Sequence, residues 1–183
     1  MELLRKLDGI ALRERREAAI ALAVGLLEAL RDLDARAVIV GFGDWRNELE
    51  AMAPSNTLFT GPFEHRHLVH LLALADVSVV PSIFPEAFGM VAAEAAAAGC
   101  PPLVARHSGL AEVAAGLEEE YPERLRHLAA FENENVDDLR AKLRELLSLQ
   151  ATDREALRAA ARRAVEKRWS WTSVGAQLLE PLR

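Results

Sequence analysis

Residues 76–105 read DVSVVPSIFPEAFGMVAAEAAAAGCPPLVA, and this stretch decides the fold class. Two short apolar runs, at 76–81 and 102–105, flank an alanine-rich run at 88–98 that ends at Gly99. Short, continuous apolar runs are typical of strands buried on both faces of a parallel sheet, whereas the longer run between them favours a helix. A strand, a helix and a second strand in this order predict a βαβ unit.

The same alternation continues on both sides of this unit. The other predicted strands are 37–41 and 57–60, and the other predicted helices are 45–52, 64–75, 109–116, 136–148, 153–168 and 171–181. We interpret the acidic stretch at 116–135 as a polar excursion between core elements. The pattern predicts a single α/β domain over 1–183, with a Rossmann-like parallel sheet and helices on both faces. Residues 1–33 form an atypical helical start in this interpretation, and 136–183 form closing helices.

Composition argues against several classes of protein. The chain has 183 residues, about half of them apolar, and a formal net charge of -6. An acidic balance argues against binding of nucleic acid, because phosphate backbones recruit Lys and Arg. No apolar run reaches the roughly 18–20 residues that a transmembrane helix needs. Acidic Glu2 and Asp8 stand together with basic Arg5 and Lys6 before the first apolar run, which is not the layout of a signal peptide. We therefore predict a cytoplasmic protein without a transmembrane segment.

The loop at 82–88 is where chemistry is expected, because ligands of open α/β sheets bind beyond the carboxyl ends of the strands. Glu86 lies in this loop, Gly89 opens the following helix, and Glu94 lies about a turn and a half further along. A helix N-terminus offers unpaired amides to a phosphate, and a carboxylate accepts hydrogen bonds from ribose hydroxyls. Either glutamate alone is more simply explained as a helix cap or a solvent-facing side chain. Together they predict a cradle for a nucleotide sugar.

The string PEAFGMVAAEAAAAGCPPLVA, in which seven residues separate Glu86 from Glu94, resembles a known family segment. It is similar to the E-x7-E segment of the GT-B, glycogen-synthase-like retaining glycosyltransferases. AVIVGFGD resembles the second strand and turn of the donor domain in that family, and TLFTGPFEHRHLVHLLALADVSVVPS resembles the strand, helix and strand that follow. ARHSGLAEVAAG resembles the next strand and the sugar-proximal turn. The resemblance runs in order over 23–183 and implies half of a GT-B fold.

The resemblance implies a role for each matching residue in binding a nucleotide-diphosphate sugar. Glu86 would be the catalytic residue that contacts the donor sugar, and Glu94 would bind the ribose. The other implied donor-binding residues are Gly89, Met90 and Val91 at the diphosphate, Gly41, Gly43 and Asp44 beside the base, and His107, Ser108 and Gly109 around the sugar. Transfer would retain the anomeric configuration, with no cofactor and no metal.

The sequence departs from the family pattern at the start of the domain. Family members usually open with a strand and a Gly-Arg/Lys … Lys-Gly motif whose cations neutralise the diphosphate, and no such motif precedes Ala23. Arg13, Arg15 and Arg16 are spaced differently, so we assign them no role. Ala87 also stands where the family usually has glycine.

Two expected partners follow from these departures. The acceptor-binding domain is missing, so a separate domain or chain would supply it. Without its opening strand the sheet would lose its central member and expose two edges. The segment GIAL at 9–12, the N-terminal helices, or a second chain in a homo-oligomer would cover that gap.

Other interpretations stay open beside this one. The chain could be a non-catalytic relic that serves as a binding or oligomerisation module. It could also be another Rossmann-type nucleotide binder, although the absence of a Gly-x-Gly-x-x-Gly motif after a first strand argues against NAD. His65, His67 and His70 lack an acidic or Cys partner at ligand spacing, so a solvated face is the simpler explanation. Cys100 is expected to pack in the core, and Ser108 lacks the Gly-x-Ser-x-Gly context of a hydrolase nucleophile.

Overall fold

A computed structural model describes residue 20 and residues 23–179 of the chain. Strands and helices alternate in it, which confirms the predicted α/β class. A helical segment at 23–31 comes first. The elements after it are β1 (Ala37–Val40), α1 (Arg46–Met52), β2 (Thr57–Gly61), α2 (His65–Leu74), β3 (Ser78–Val80), α3 (Met90–Ala97), β4 (Pro102–Ala105), α4 (Ser108–Glu120), a 3-10 helix (Glu123–Ala129), β5 (Ala130–Phe131), α5 (Val136–Ser148), α6 (Ala151–Ala164), a π-helix (Val165–Trp169) and α7 (Trp171–Leu179).

The described strands pair in two separate parallel sheets, one of β1 and β2 and the other in the order β3-β4-β5. Hydrogen bonds alternate along a parallel strand, so every second residue turns its backbone groups to the opposite side. Ala37 N–H donates to Asn56 O at 2.9 Å, which leaves Val38 and Val40 facing the other edge of β1. On β3, Val79 faces the edge away from β4 by the same rule.

These two edges lie where a sheet without its central strand would be interrupted. Among the described residues, no strand pairs with the outer edge of β1 or with the outer edge of β3. The segment at 9–12, which we considered as a filler of the gap, lies outside the described residues. Within the residues that the structure describes, the predicted Rossmann-like fold therefore has its strands in two parallel sheets.

The main core surrounds β4, whose residues are all buried. Packed around it are apolar residues of α4, the 3-10 helix, β5, α5 and α6: Leu110, Val113, Leu117, Leu125, Leu128, Phe131, Leu139, Leu143 and Leu157. The two-stranded sheet is packed less well, since Val38 is 43% exposed and Leu58 59% exposed. Burial of apolar area drives folding, so the three-stranded sheet carries most of the stability of this fold.

The prediction of a polar excursion at 116–135 was wrong. Helix α4 continues to Glu120, and the chain then forms the 3-10 helix and strand β5, in which Leu128 and Phe131 are fully buried. The acidic run misled because its carboxylates on α4, including that of the largely covered Glu120, are held in ion pairs with basic residues of other elements. Glu120 there receives hydrogen bonds from Lys167 at 2.8 and 2.9 Å.

The helices from α1 to α7 are short, and α6 is the longest of them with 14 residues. Within the described part of the chain, no helix has the length and apolar character that crossing a membrane requires. The cytoplasmic location and the homo-oligomer stay predictions.

We expect the backbone amides of β4 to exchange with solvent hydrogen more slowly than those of β1. Leu103 and Val104 are fully buried in a strand that is paired on both sides, so their exchange requires extensive unfolding. Ile39 lies in a half-buried strand that is paired on one side. Hydrogen exchange of the full chain, resolved by residue, measures the difference. Equal protection of β1 and β4 would show that the edge of β1 is covered in solution.

Glu120 should make the fold sensitive to acid. Its hydrogen bond with Lys167 holds the pKa of its carboxyl below the ordinary value of 4.5. The stability that comes from this lowered pKa is present above about pH 4.5 and is lost as the pH falls through the folded-state pKa. We expect Glu120→Gln to lower the free energy of unfolding by about 0.5–1 kcal/mol at pH 7, and by less at pH 3. Urea unfolding at several pH values measures this, with Glu155→Gln on the exposed face of α6 as control. If the free energies of unfolding of wild type and Glu120→Gln changed with pH in parallel, the lowered pKa of Glu120 would not be the source of the acid sensitivity.

Candidate functional site

The N-terminus of α3 opens at the carboxyl edge of the three-stranded sheet. Gly89 occupies the N-cap position with a left-handed φ of 101°, a conformation that favours glycine. Ala92 N–H donates to Gly89 O at 3.0 Å, so the helical ladder starts there, and the preceding amides have no acceptor within the helix. The side chains of Met90 and Val91 are 60% and 52% exposed. The N-terminus of α3 at residues 89–91, which we call the mouth of α3, is therefore open to a ligand.

The carboxylate of Glu86 lies beside this mouth. A Cβ built on Gly89 would be 3.7 Å from Glu86 Oε2 and 2.5 Å from Leu110 Cδ2. A side chain at this position would thus collide with the core below it. Core packing and the left-handed φ therefore both require glycine here, and the role of Gly89 toward a phosphate stays a prediction.

The predicted sugar-side turn at 107–109 packs directly against the Glu86 loop. Glu86 N–H donates to Ser108 Oγ at 3.0 Å, and Gly109 N–H donates to Glu86 O at 2.9 Å. A Cβ on Gly109 would lie 2.5–2.6 Å from backbone atoms of Ala87 and Phe88. The structure thus brings the predicted catalytic residue and the predicted sugar-side residues together.

Glu94 lies on α3 facing α2, one turn past the mouth. Its Oε2 is 3.6 Å from Nδ1 of His65, the first residue of α2. An open groove of about 230 Å³ lies between the two helices, lined by both side chains and by Leu68, Val69, Leu72 and Ala97. Sequence reasoning missed His65 as a neighbour of Glu94. The available signal was its position in the first helical turn after β2, at the ligand-binding edge of the sheet.

The predicted base-side residues Gly41, Gly43 and Asp44 follow β1. A Cβ built on Gly41 or Gly43 would meet no atom within 4 Å, so this turn borders open space. Gly41 N–H donates to Gly61 O at 2.9 Å, which ties the turn to the end of β2. These residues belong to the two-stranded sheet, whereas Glu86, Gly89 and the 107–109 turn belong to the three-stranded sheet.

Three arginines stand at the start of segments that follow strands. Each is paired with a carboxylate, in the ion pairs Arg46–Glu50, Arg66–Glu64 and Arg106–Glu118. The cluster of Arg13, Arg15 and Arg16, to which we assigned no role, lies outside the described residues. Among the described residues, the amides in the first turn of α3 are the positive groups that the helix itself presents at its N-terminus.

Two further candidates have structural explanations. Burial raises the pKa of the Cys100 thiol to about 12, so the group stays protonated at neutral pH and is a poor nucleophile. It packs with Leu72 and Ala95 between α2 and α3, as predicted. In the described ranges, no three His, Cys, Asp or Glu side chains are grouped to hold a metal ion. The absence of a metal from the reaction stays a prediction.

Phe88 links the loop to the closing elements. Its ring meets that of Trp169 edge to face, with centroids 5.6 Å apart. Trp169 also packs on Gly116, where a Cβ would lie 2.6 Å from the indole. The closing π-helix thus supports the loop that carries Glu86, a contact that the sequence pattern does not indicate.

We expect Gly109→Ala to destabilise the protein by roughly 1–3 kcal/mol, because the new methyl group would push the Glu86 loop away from the turn. Thermal or urea unfolding measures the change. Gly175→Ala on α7 is the matched control, since no atom lies within 4 Å of its Cβ position and alanine favours a helix by up to about 1 kcal/mol. Wild-type stability of Gly109→Ala would show that loop and turn separate in solution.

Comparisons with known proteins show the family to which this chain belongs. A family model described as "Glycosyl transferases group 1" matches residues 14–164. A GDP-mannose-dependent monoacylated alpha-(1-6)-phosphatidylinositol monomannoside mannosyltransferase of Corynebacterium glutamicum is 32% identical over 162 residues, which cover 82% of this chain and 39% of that protein. A GDP-mannose-dependent alpha-(1-6)-phosphatidylinositol dimannoside mannosyltransferase of Mycobacterium tuberculosis is 43% identical over 95 residues, which cover 50% of this chain and 25% of that protein.

A solved structure shows the same fold. The sucrose-phosphate synthase of Thermosynechococcus elongatus superposes with a TM-score of 0.70 and 22% identity, over 88% of this chain and 41% of its own. The chain thus spans about two fifths of the length of that structure and of the C. glutamicum relative. The family model matches most of the chain, and the site lies where the strands of such a fold end. The chain belongs to the group 1 family of glycosyl transferases.

Proposed function

We propose that this chain binds a nucleotide-diphosphate sugar at the mouth of α3 and forms the donor-binding part of a retaining glycosyltransferase. The observation that carries the proposal is the open helix terminus at Gly89 with the Glu86 carboxylate beside it. Two of its relatives are named as GDP-mannose-dependent mannosyltransferases. GDP-mannose is therefore the donor that we propose first.

Each group at the site has a distinct task in this proposal. The diphosphate lies against the amides of Gly89, Met90 and Val91, which stabilise the negative charge that builds up on the leaving group. The carboxylate of Glu86 stabilises positive charge near the anomeric carbon of the sugar. Glu94 accepts hydrogen bonds from the ribose hydroxyls. The arrangement needs no metal ion.

The uncovered apolar surface at this edge supports a separate acceptor-binding partner. Phe42 is 87% exposed, and Phe63, Phe84 and Met90 also remain exposed in the segments that follow β1, β2 and β3. Apolar side chains gathered at one edge are typical of a surface that another domain covers. We propose that the acceptor site lies on that domain or chain.

Calorimetric titration of the full chain with GDP, UDP and ADP tests donor binding. We expect one nucleotide to bind, and Glu94→Ala to weaken it roughly 10- to 100-fold through loss of a charge-assisted hydrogen bond. The 2′-deoxy form of the same nucleotide should bind wild type more weakly but should bind Glu94→Ala almost as well as the ribose form does. Chelation of metals with EDTA should not change the affinity.

Glu155→Ala is the matched control, because this glutamate is exposed on α6 away from the site. Equal affinity of wild type and Glu94→Ala would overturn the ribose role of Glu94. Failure of all three nucleotides to bind the folded chain would overturn donor binding and favour the non-catalytic relic.

A further inference from the structure

Two consecutive residues hold the Glu86 loop at both of its ends. His107 Nε2 is hydrogen-bonded to the backbone carbonyl of Ser82, where the loop begins. His107 Nδ1 lies 3.0 Å from Ser108 Oγ, and this hydroxyl accepts the hydrogen bond of Glu86 N–H at 3.0 Å. The four residues form a continuous chain of hydrogen bonds, from Ser82 at the start of the loop to the catalytic candidate Glu86; we call this chain the relay.

The chemistry of the groups sets the direction of this relay. A carbonyl oxygen only accepts hydrogen bonds, so His107 Nε2 carries a proton and donates it to Ser82 O. In the neutral imidazole Nδ1 is then an acceptor, and the Ser108 hydroxyl donates to it. Both ring nitrogens of His107 are therefore engaged within the protein. The imidazole has no free nitrogen to offer a sugar.

The backbone of Ser108 shows that its side chain matters. Its φ of 44° lies in the left-handed region, where glycine is at ease and a residue with a Cβ is strained. Serine at this position is therefore unfavourable for the backbone. The hydroxyl that joins His107 to Glu86 is the compensation that the structure shows.

We infer that His107 and Ser108 are positioning residues that set the place of Glu86 at the mouth of α3, rather than side chains that contact the sugar. This inference rests on the proposed function, since it concerns how the sugar-side carboxylate is held. The bond from Gly109 N–H to Glu86 O is a backbone contact and remains when the Ser108 hydroxyl is removed. Substitutions of Ser108 therefore change the position of Glu86 without releasing the loop.

A pair of substitutions separates positioning from stability. Ser108→Gly removes the hydroxyl and relieves the backbone strain, whereas Ser108→Ala removes the hydroxyl and keeps the strain. We expect Ser108→Gly to be at least as stable as wild type and Ser108→Ala to be less stable. Both should reduce the ratio of GDP-mannose affinity to GDP affinity by about fivefold, the typical effect of one hydrogen bond. Their affinity for GDP alone should stay near wild type.

The control is Ser148→Ala, which removes a hydroxyl at the end of α5 that donates to Glu145 O at 2.9 Å. An affinity ratio that follows stability, and so falls for Ser108→Ala but not for Ser108→Gly, would overturn the positioning role while donor binding stands. If titration shows that the chain binds UDP or ADP rather than GDP, the affinity ratio is measured with UDP-glucose and UDP, or with ADP-glucose and ADP, instead of GDP-mannose and GDP.

A second measurement needs no ligand and tests the relay if no nucleotide binds. We expect the Glu86 amide of the wild-type chain to be protected from hydrogen exchange, and this protection to be lost in both Ser108 variants. The imidazole nitrogen shifts of His107 should show a protonated Nε2 and an unprotonated Nδ1. A Glu86 amide that exchanges equally fast in wild type and Ser108→Gly would overturn the relay. Absence of nucleotide binding with an intact relay would overturn the proposed function and, with it, the inferred role toward the sugar.

Discussion

The loop at 82–88 and the turn at 107–109 lie backbone against backbone, and the geometry of the site depends on this contact. A side chain on Gly109 would overlap the backbone of Ala87 and Phe88, so the approach requires glycine. The turn follows the central strand β4 and the loop follows its neighbour β3, and adjacent strands are only about 4.8 Å apart. The carboxylate of Glu86 is thereby attached to the most deeply buried part of the fold.

The remaining parts of the site are attached differently. Contact between Glu94 and His65 depends on the packing of α3 against α2, where a small cluster of Leu72, Ala95 and Cys100 is buried. Arg158 on α6 donates to carbonyl oxygens at the end of α2 at 2.8 and 2.9 Å, and so holds that helix in place. In the described part of the chain no strand joins the two sheets, and side-chain contacts between helices connect them instead. The Glu94 side of the candidate site is consequently held less firmly than the Glu86 side.

Much of this architecture could be predicted from the sequence, because apolar runs and glycines are local signals. Strand β4 was predicted at its observed bounds, and Glu86, Gly89 and the 107–109 turn were correctly expected at one edge of the sheet. The 3-10 helix and β5 were missed, because the acidic run at 116–135 conceals buried side chains such as Phe131. The contacts of His65 with Glu94 and of Trp169 with Phe88 join distant parts of the chain, which periodicity does not report.

The lack of the family's Gly-Arg/Lys … Lys-Gly motif before Ala23 does not by itself exclude binding of a diphosphate. Arg46, Arg66 and Arg106 are held by ion pairs at the protein surface, and such pairs are worth about 0–1 kcal/mol. A charge-assisted hydrogen bond to a phosphate is worth about 1.5–3 kcal/mol. The surface pairs therefore oppose the recruitment of a cation to a bound diphosphate only weakly. Under the proposed function, donor affinity depends on whether a cation lies within reach of the mouth of α3, and the amides at that mouth would provide the first attraction for the anion.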